Sequence, residues 1–269
     1  MEISVFTLAF PGFKAEDVVS ASARIGFDGV DIRTRQDGHI YIDATKDYRK
    51  ELLDLAKSHS ICFYGVYSYL GEGMASTEDS LMKSELKRLE AHIDLAVDLG
   101  ATHVRIFDGG NERAEKNLVR FIESCKAGCL RARDKGVYIG IETHGNLAWD
   151  GESCRRIISE TGSESLKIIF DPANIYSYGL NPIVEAEKIK EDILSVQFKD
   201  FVKLNHKTKY VLLGDGQVPV SEIIDFLKKE KFDGYIVVEY EKWWHPELPD
   251  PLVVLRHELS YLKKSFEQV

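Results

Sequence analysis

Two hydrophobic rhythms alternate along this chain. Short apolar runs rich in β-branched residues cover Ile3–Ala9, Phe27–Arg33, Ile61–Tyr67, His103–Phe107, Val137–Thr143, Lys167–Asp171, Leu194–Lys199 and Tyr235–Tyr240. Each is too short for a helix of ordinary length and predicts a strand. Between them, apolar residues recur at helical spacing in Lys14–Ile25, Asp47–Ser58, Ser80–Leu99 and Lys116–Lys135, and less regularly in Ser153–Thr161, Ile183–Asp192, Val220–Lys231 and Pro251–Phe266. Gly26, Gly100 and Gly136 each stand just before a predicted strand, where a helix ends on glycine. The segment 201–219, after the seventh strand, has neither rhythm and predicts the longest irregular loop, a place for substrate contacts or a lid.

Eight strand–helix repeats predict a parallel sheet with right-handed crossovers, closed into a (β/α)8 TIM barrel. No GxGxxG follows the first strand, where a dinucleotide-binding fold would carry it, so a barrel is favoured over an open doubly wound sheet. The 269 residues match one such barrel, so 1–269 reads as a single α/β domain.

Composition narrows the function. The formal net charge of -9 disfavours a nucleic-acid partner, since phosphate binding rests on Lys and Arg. Cys62, Cys125, Cys129 and Cys154 form no CxxC pair and read as free thiols of a reducing cytoplasm. The opening MEISVFTLAF reads as a strand rather than a signal peptide, and no apolar run reaches the ~20 residues of a membrane span.

The chemistry sits at strand ends. Glu142, Asp171 and Glu239 each close an apolar run, where an acid is costly unless partnered. Any one of them could be a helix cap or half of an ion pair. Three of them on three strands of one barrel converge on its C-terminal mouth. Together they would repel unless a cation sat among them, which predicts a divalent-metal centre. Residues two apart on a strand share a face, so Arg105, His144, Gln197, Lys199 and Glu241 are expected to point the same way as the acids. Arg105 reads equally well as the counter-ion of a neighbouring acid. Asp108-Gly109-Gly110 reads as a turn. Trp243-Trp244-His245 reads as a lid or a contact of a homodimer or homotetramer, and His206 as an exposed loop residue.

Five motifs, IETHGN, FDPANIY, VQFKD, LGDGQVP and VVEYE, in this order and spacing, resemble the xylose isomerase-like TIM-barrel superfamily, the sugar phosphate isomerase/epimerase group. The resemblance covers almost the whole chain. It implies one divalent ion, with Mn²⁺ or Mg²⁺ favoured over Co²⁺ or Zn²⁺, held by Glu142, Asp171, Gln197 and Glu239. It also implies proton transfer next to a carbonyl by Glu142 and Glu239, with Arg105, His144, Asn174 and Lys199 on the substrate. Two positions depart from the pattern. Gln197 stands where the superfamily has a metal-ligating His, and a neutral amide oxygen suits hard cations better than Zn²⁺. Asn174 stands where ketose 3-epimerases and the DNA-repair relative endonuclease IV carry a His, which argues against both subgroups. The expectation is a metal-dependent isomerase or epimerase of a ketose, sugar or sugar phosphate, acting through an enediolate. Two alternatives stay open: a dehydratase or other lyase on a keto-polyol of the keto-inositol or dehydroshikimate type, and a non-catalytic sugar-binding barrel that has lost its metal.

Overall fold

The computed structural model describes residues 1–205 and 207–267; His206 lies outside them. In chain order the strands are β1 Ile3–Phe6, β2 Gly29–Arg33, β3 Cys62–Tyr67, β4 His103–Ile106, β5 Tyr138–Glu142, β6 Leu166–Phe170, β7 Ile193–Phe198, β8 Asp200–Leu204, β9 Lys207–Val211 and β10 Tyr235–Val238. The helices are α1 Ala15–Ile25, α2 Lys46–Ser58, α3 Asp79–Leu99, α4 Glu115–Lys135, α5 Gly151–Thr161, α6 Pro172–Ser177, α7 Pro182–Glu187, α8 Val220–Lys229 and α9 Pro251–Glu267. Eight of the strands close into a parallel barrel in the order β1-β10-β7-β6-β5-β4-β3-β2, as the sequence predicts. The register sets Val237 beside Gln197 and Glu142 beside Ile169. Buried Ile, Val and Leu from strands and helices fill the layer between them. The glycines at 26, 100 and 136 close α1, α3 and α4 in the left-handed conformation that favours this residue.

Two predicted elements are corrected, and one helix is added. The segment after β7 is not irregular at its start: β8 and β9 pair as an antiparallel hairpin. Lys203, Lys207 and Lys209 leave this exposed ribbon without the alternation that marks a half-buried strand. The return of the chain is tied to Asp200, whose carboxylate accepts the backbone N–H groups of Phe201, Gly214, Gly216 and Val218 at 2.8–3.1 Å. Ile183–Asp192 is likewise not one helix: α7 stops at Glu187, and Lys190–Asp192 form a separate 3-10 turn. The short helix α6 was not anticipated, although Asp171 at its N-cap and Pro172 at its first position are start signals.

Beneath the barrel mouth lies a buried polar group that the acid-at-strand-end pattern does not mark. Tyr235 donates its hydroxyl hydrogen to Asp31 Oδ1 (3.1 Å), and the same hydroxyl lies 3.1 Å from His103 Nε2. Ser4 completes it, hydrogen-bonded to the other Asp31 oxygen. Gly65 makes the space, since a Cβ there would stand 2.4 Å from Asp31 Oδ1 and 2.5 Å from His103 Nε2. Burial pushes the Asp31 carboxyl up from 3.8 to about 7, against the pull of the Ser4 and Tyr235 hydrogen bonds. Burial pushes the His103 imidazole down to about 3, so it is neutral.

An acid whose folded pKa exceeds its unfolded value holds its proton more tightly in the native state. Stability is therefore greatest below the unfolded value and falls as pH rises toward the folded one. Burial raises Glu258, Asp171 and Glu241 to about 8, 7 and 7, so they act in the same direction. The buried imidazoles of His39, His92 and His103, pushed down to about 4, 4 and 3, act the other way up to about pH 6.5, so the Asp31 share is read from the variant: wild type should lose roughly 2–3 kcal/mol more than Asp31→Asn between about pH 5 and about pH 8 in denaturant unfolding. An equal change in the two proteins would mean Asp31 is ionised in the fold.

Candidate active site

The C-terminal mouth of the barrel opens into a cavity of about 770 Å³. Glu142 reaches it from the end of β5, Lys199 from just beyond β7, and Glu239 and Glu241 from just beyond β10. The alternation of strand side chains brings these groups to one face. Asp171, after β6, and Gln197, on β7, are fully buried behind them. Arg105, His144 and Asn174 also line the cavity, so every residue expected at the site lies in or directly behind it.

Cations of the chain itself thread the acids. The Lys199 ammonium stands 2.9 Å from Asp171 Oδ2, 2.6 Å from Glu239 Oε2 and 3.3 Å from Glu241 Oε1. Arg105 Nη1 donates to Glu142 Oε2 at 2.8 Å, and its Nη2 donates to the Ser68 carbonyl at 3.1 Å. Phe6, Tyr67 and Phe107 surround that guanidinium at 4.5–4.8 Å from their ring centres. Both cations that were expected to meet substrate are thus tied to protein carboxylates. Asn174 is held twice: its backbone N–H donates to Asp171 Oδ1 (2.9 Å), and its side-chain amide to the Thr143 carbonyl (3.2 Å) and Glu142 Oε1 (3.4 Å). His144 packs edge-on to Phe107, ring centres 5.2 Å apart.

This wiring pulls the acids in different directions. Burial raises Glu142, and the charge of Arg105 offsets only part of that. Burial would raise Glu239 too, but the charge and hydrogen bond of Lys199 prevail and hold it below the usual carboxylate range. Asp171 and Glu241 share the same lysine less favourably and rise to about 7. Glu241 was legible only as a same-face neighbour of Glu239. Asp108 reads as part of a turn in the sequence, yet its buried carboxylate accepts three backbone N–H groups, from Gly110, Leu147 and Ala148, and so braces the loops after β4 and β5. Trp244 and His245 line the cavity, which places that run on the mouth.

The fit of a divalent ion can be tested on these atoms. Four carboxylates, Glu142, Asp171, Glu239 and Glu241, face two fixed cations, Arg105 and Lys199, and two negative charges are left over when all four ionise. Both polar atoms of the Gln197 amide are buried without a well-formed hydrogen bond, although the amide lies close enough to Glu239 to favour its charged form. An orphaned amide oxygen among carboxylates is a donor set for a hard cation. In the present arrangement no three His, Cys, Asp or Glu side chains among the described residues are grouped to hold an ion. The donors therefore suit a divalent cation in charge and chemistry, with Lys199 competing for the same oxygens.

A family model described as a xylose isomerase-like TIM barrel matches residues 19–265. Among curated proteins, the inosose dehydratase of Clostridium botulinum (strain Alaska E43 / Type E3) is 25% identical over 184 residues, covering 61% of this chain and 60% of the relative. That of Clostridium perfringens (strain 13 / Type A) is 23% identical over 184 residues, with the same coverage. The chain thus spans about 60% of the length of these curated relatives. Among solved structures, the probable 3-DHS dehydratase AsbF of Bacillus anthracis superposes with a TM-score of 0.83 at 19% identity, covering 98% of this chain and 99% of that one. The D-psicose 3-epimerase of Clostridium cellulolyticum H10, solved with D-tagatose, gives 0.83 at 13% identity with 100% of each chain covered. At these identities the structural likeness shows the fold.

Proposed function

This chain belongs to the xylose isomerase-like TIM-barrel family, and on that premise we propose that it is a divalent-metal-dependent isomerase or epimerase of a ketose, sugar or sugar phosphate. One observation carries the reading: Glu142 and Glu239 line one cavity, and their surroundings push their proton affinities apart. Such a separation is how one site holds an acid and a base at the same pH.

Glu239, kept ionised by Lys199, takes the proton from the carbon next to the carbonyl. Glu142, whose proton affinity burial raises while Arg105 and Asn174 donate to its two oxygens, supplies the proton that completes the product. Lys199 and Arg105 oppose the negative charge that develops on the enediolate oxygens. Asn174 and His144 orient substrate hydroxyls, and the aromatic wall around Arg105 keeps water from the reacting carbon. Glu142, Asp171, Gln197 and Glu239 would hold the ion, Mn²⁺ or Mg²⁺ in preference to Co²⁺ or Zn²⁺. Such an ion supplies Lewis-acid polarisation of the substrate carbonyl.

A panel of keto sugars and their phosphates, incubated in deuterium oxide with the metal-loaded protein, tests this by NMR. Deuterium entering next to the carbonyl, with an isomer or epimer accumulating, is the expected result. A sugar that binds without exchange would end the enolising reading. A second reading has one observation in its favour, the inosose dehydratases among the curated relatives. In it the same enolate expels a β-hydroxyl that Glu142 protonates, and an ultraviolet-absorbing enone appears with the loss of one water.

Gln197→His replaces a neutral amide by a stronger ligand for transition metals. Calorimetric titration with Mn²⁺ or Zn²⁺ should show affinity rising by about tenfold or more. Equal affinity in the two proteins would remove Gln197 from the ligand set.

A further inference from the structure

A second cavity, of about 530 Å³, lies beside the first, and Tyr69 lines both. Their electrostatic characters are opposite. The first is walled by Glu142, Glu239 and Glu241, among other acids. The second has no acidic residue among the described residues that line it: Arg35 and Arg88 face it together with Gln36, Tyr41 and His92. In a chain of net charge -9, two arginines around a carboxylate-free hollow are a local reversal of sign. Each arginine has one carboxylate neighbour outside the lining, Asp37 at 3.2 Å for Arg35 and Glu85 at 2.7 Å for Arg88. Those contacts engage Arg35 Nε and Arg88 Nη1, and a guanidinium has five N–H donors, so the remaining ones have no carboxylate partner among the described residues. The side chains are 48% and 45% exposed, so neither is sealed away.

Tyr69 forms the partition. The Arg35 guanidinium lies 5.3 Å from its ring centre, and that of Arg105, the partner of Glu142, lies 5.1 Å from the same ring. One aromatic ring thus separates the acid-rich hollow from the basic one. We propose that the Arg35–Arg88 cavity binds a phosphate or carboxylate group, and that this group is the distal end of the substrate held at Glu142 and Glu239. The first half stands on the cavity alone; the second rests on the enolising reading above. A planar, forked donor pair is suited to a tetrahedral or planar oxyanion, and an anion so held would point the neutral part of the molecule past Tyr69 toward the acids.

Calorimetric titration of the whole chain with inorganic phosphate, against a chloride control at low ionic strength, tests the first half without any need for turnover. Saturable binding is expected, weakened about tenfold or more in Arg35→Gln/Arg88→Gln. Arg35→Gln alone, next to the exposed Asp37, should lose several-fold and guards against a folding defect in the pair. Phosphate heats no larger than chloride, or equal binding by the wild type and both variants, would overturn the site. For the second half, a ketose phosphate, the matching sugar acid and the plain ketose are titrated in turn. Tighter binding of one charged form, lost in the double variant, is expected and identifies which anion the cavity takes. No advantage of either charged form over the plain ketose, or an advantage that survives the double substitution, would overturn the substrate-end assignment. Phosphate binding in a protein that never exchanges deuterium would leave the site standing and sink only the enolising reading.

Discussion

Glu239→Gln should lower turnover by about a thousandfold or more while the protein stays folded, because the substitution keeps shape and hydrogen bonding and removes the proton acceptor. The surroundings separate this effect from instability. Once Glu239 is neutral, Lys199 still has Asp171 at 2.9 Å and Glu241 at 3.3 Å, so its charge remains compensated. Glu142→Gln should cost similar activity and, unlike the first, some stability as well. Arg105 Nη1 loses its only carboxylate hydrogen bond among those described, and the Arg105 side chain is 2% exposed. Steady-state kinetics with melting curves on both variants give the comparison. Near-normal turnover in either one would remove that glutamate from the proton-transfer pair. Equal melting temperatures would mean Arg105 does not depend on Glu142 for its charge balance.

The sequence disclosed the fold and the location of the site for one physical reason. A parallel barrel buries both faces of its strands, so each strand reads as an apolar run, and an acid at its end is conspicuous. Glu142, Asp171 and Glu239 stood out in that way, and the structure sets them around one mouth. What the sequence hid is the partner of each acid. Lys199 was legible as a same-face residue, but nothing in a linear pattern says that its ammonium reaches β6 and β10 at once. The β8–β9 hairpin escaped because its turn end is exposed and its base is buried, so burial changes along the ribbon and leaves no hydrophobic period of two. The Asp31–His103–Tyr235 group escaped because Asp31 sits in the middle of its strand and His103 and Tyr235 open theirs, away from the C-terminal strand ends where an acid is conspicuous. The Arg35–Arg88 cavity joins residues more than fifty positions apart, from the segment after β2 and from α3, and only tertiary packing brings them together.

Lys199→Met should be the most destabilising single change at the site. Methionine fills much of the same space but leaves Asp171, Glu239 and Glu241 buried with no cation among them. Breaking a buried ion pair from one side costs about 3–5 kcal/mol, because the remaining charge is desolvated and unpaired. The sign of its pH dependence follows from the same groups. In the wild type Lys199 holds Glu239 below its ordinary pKa, and that stabilisation is present above the unfolded value. The variant loses it, and all three acids move up, so its stability falls more steeply as pH rises and approaches the wild type under acid conditions, where the acids are protonated. Urea unfolding at about pH 5 and about pH 8 measures the gap. A gap as large at the lower pH as at the higher would show that the loss is packing rather than charge. Mn²⁺ adds the decisive arm. If these oxygens are the donors of a divalent ion, removing the competing ammonium should let Mn²⁺ restore much of the lost stability, more so than in the wild type. Should Mn²⁺ fail to recover any of it, the acids around Lys199 form a closed ion-pair network, and the enediolate charge must be met by Lys199 and Arg105 without a metal ion.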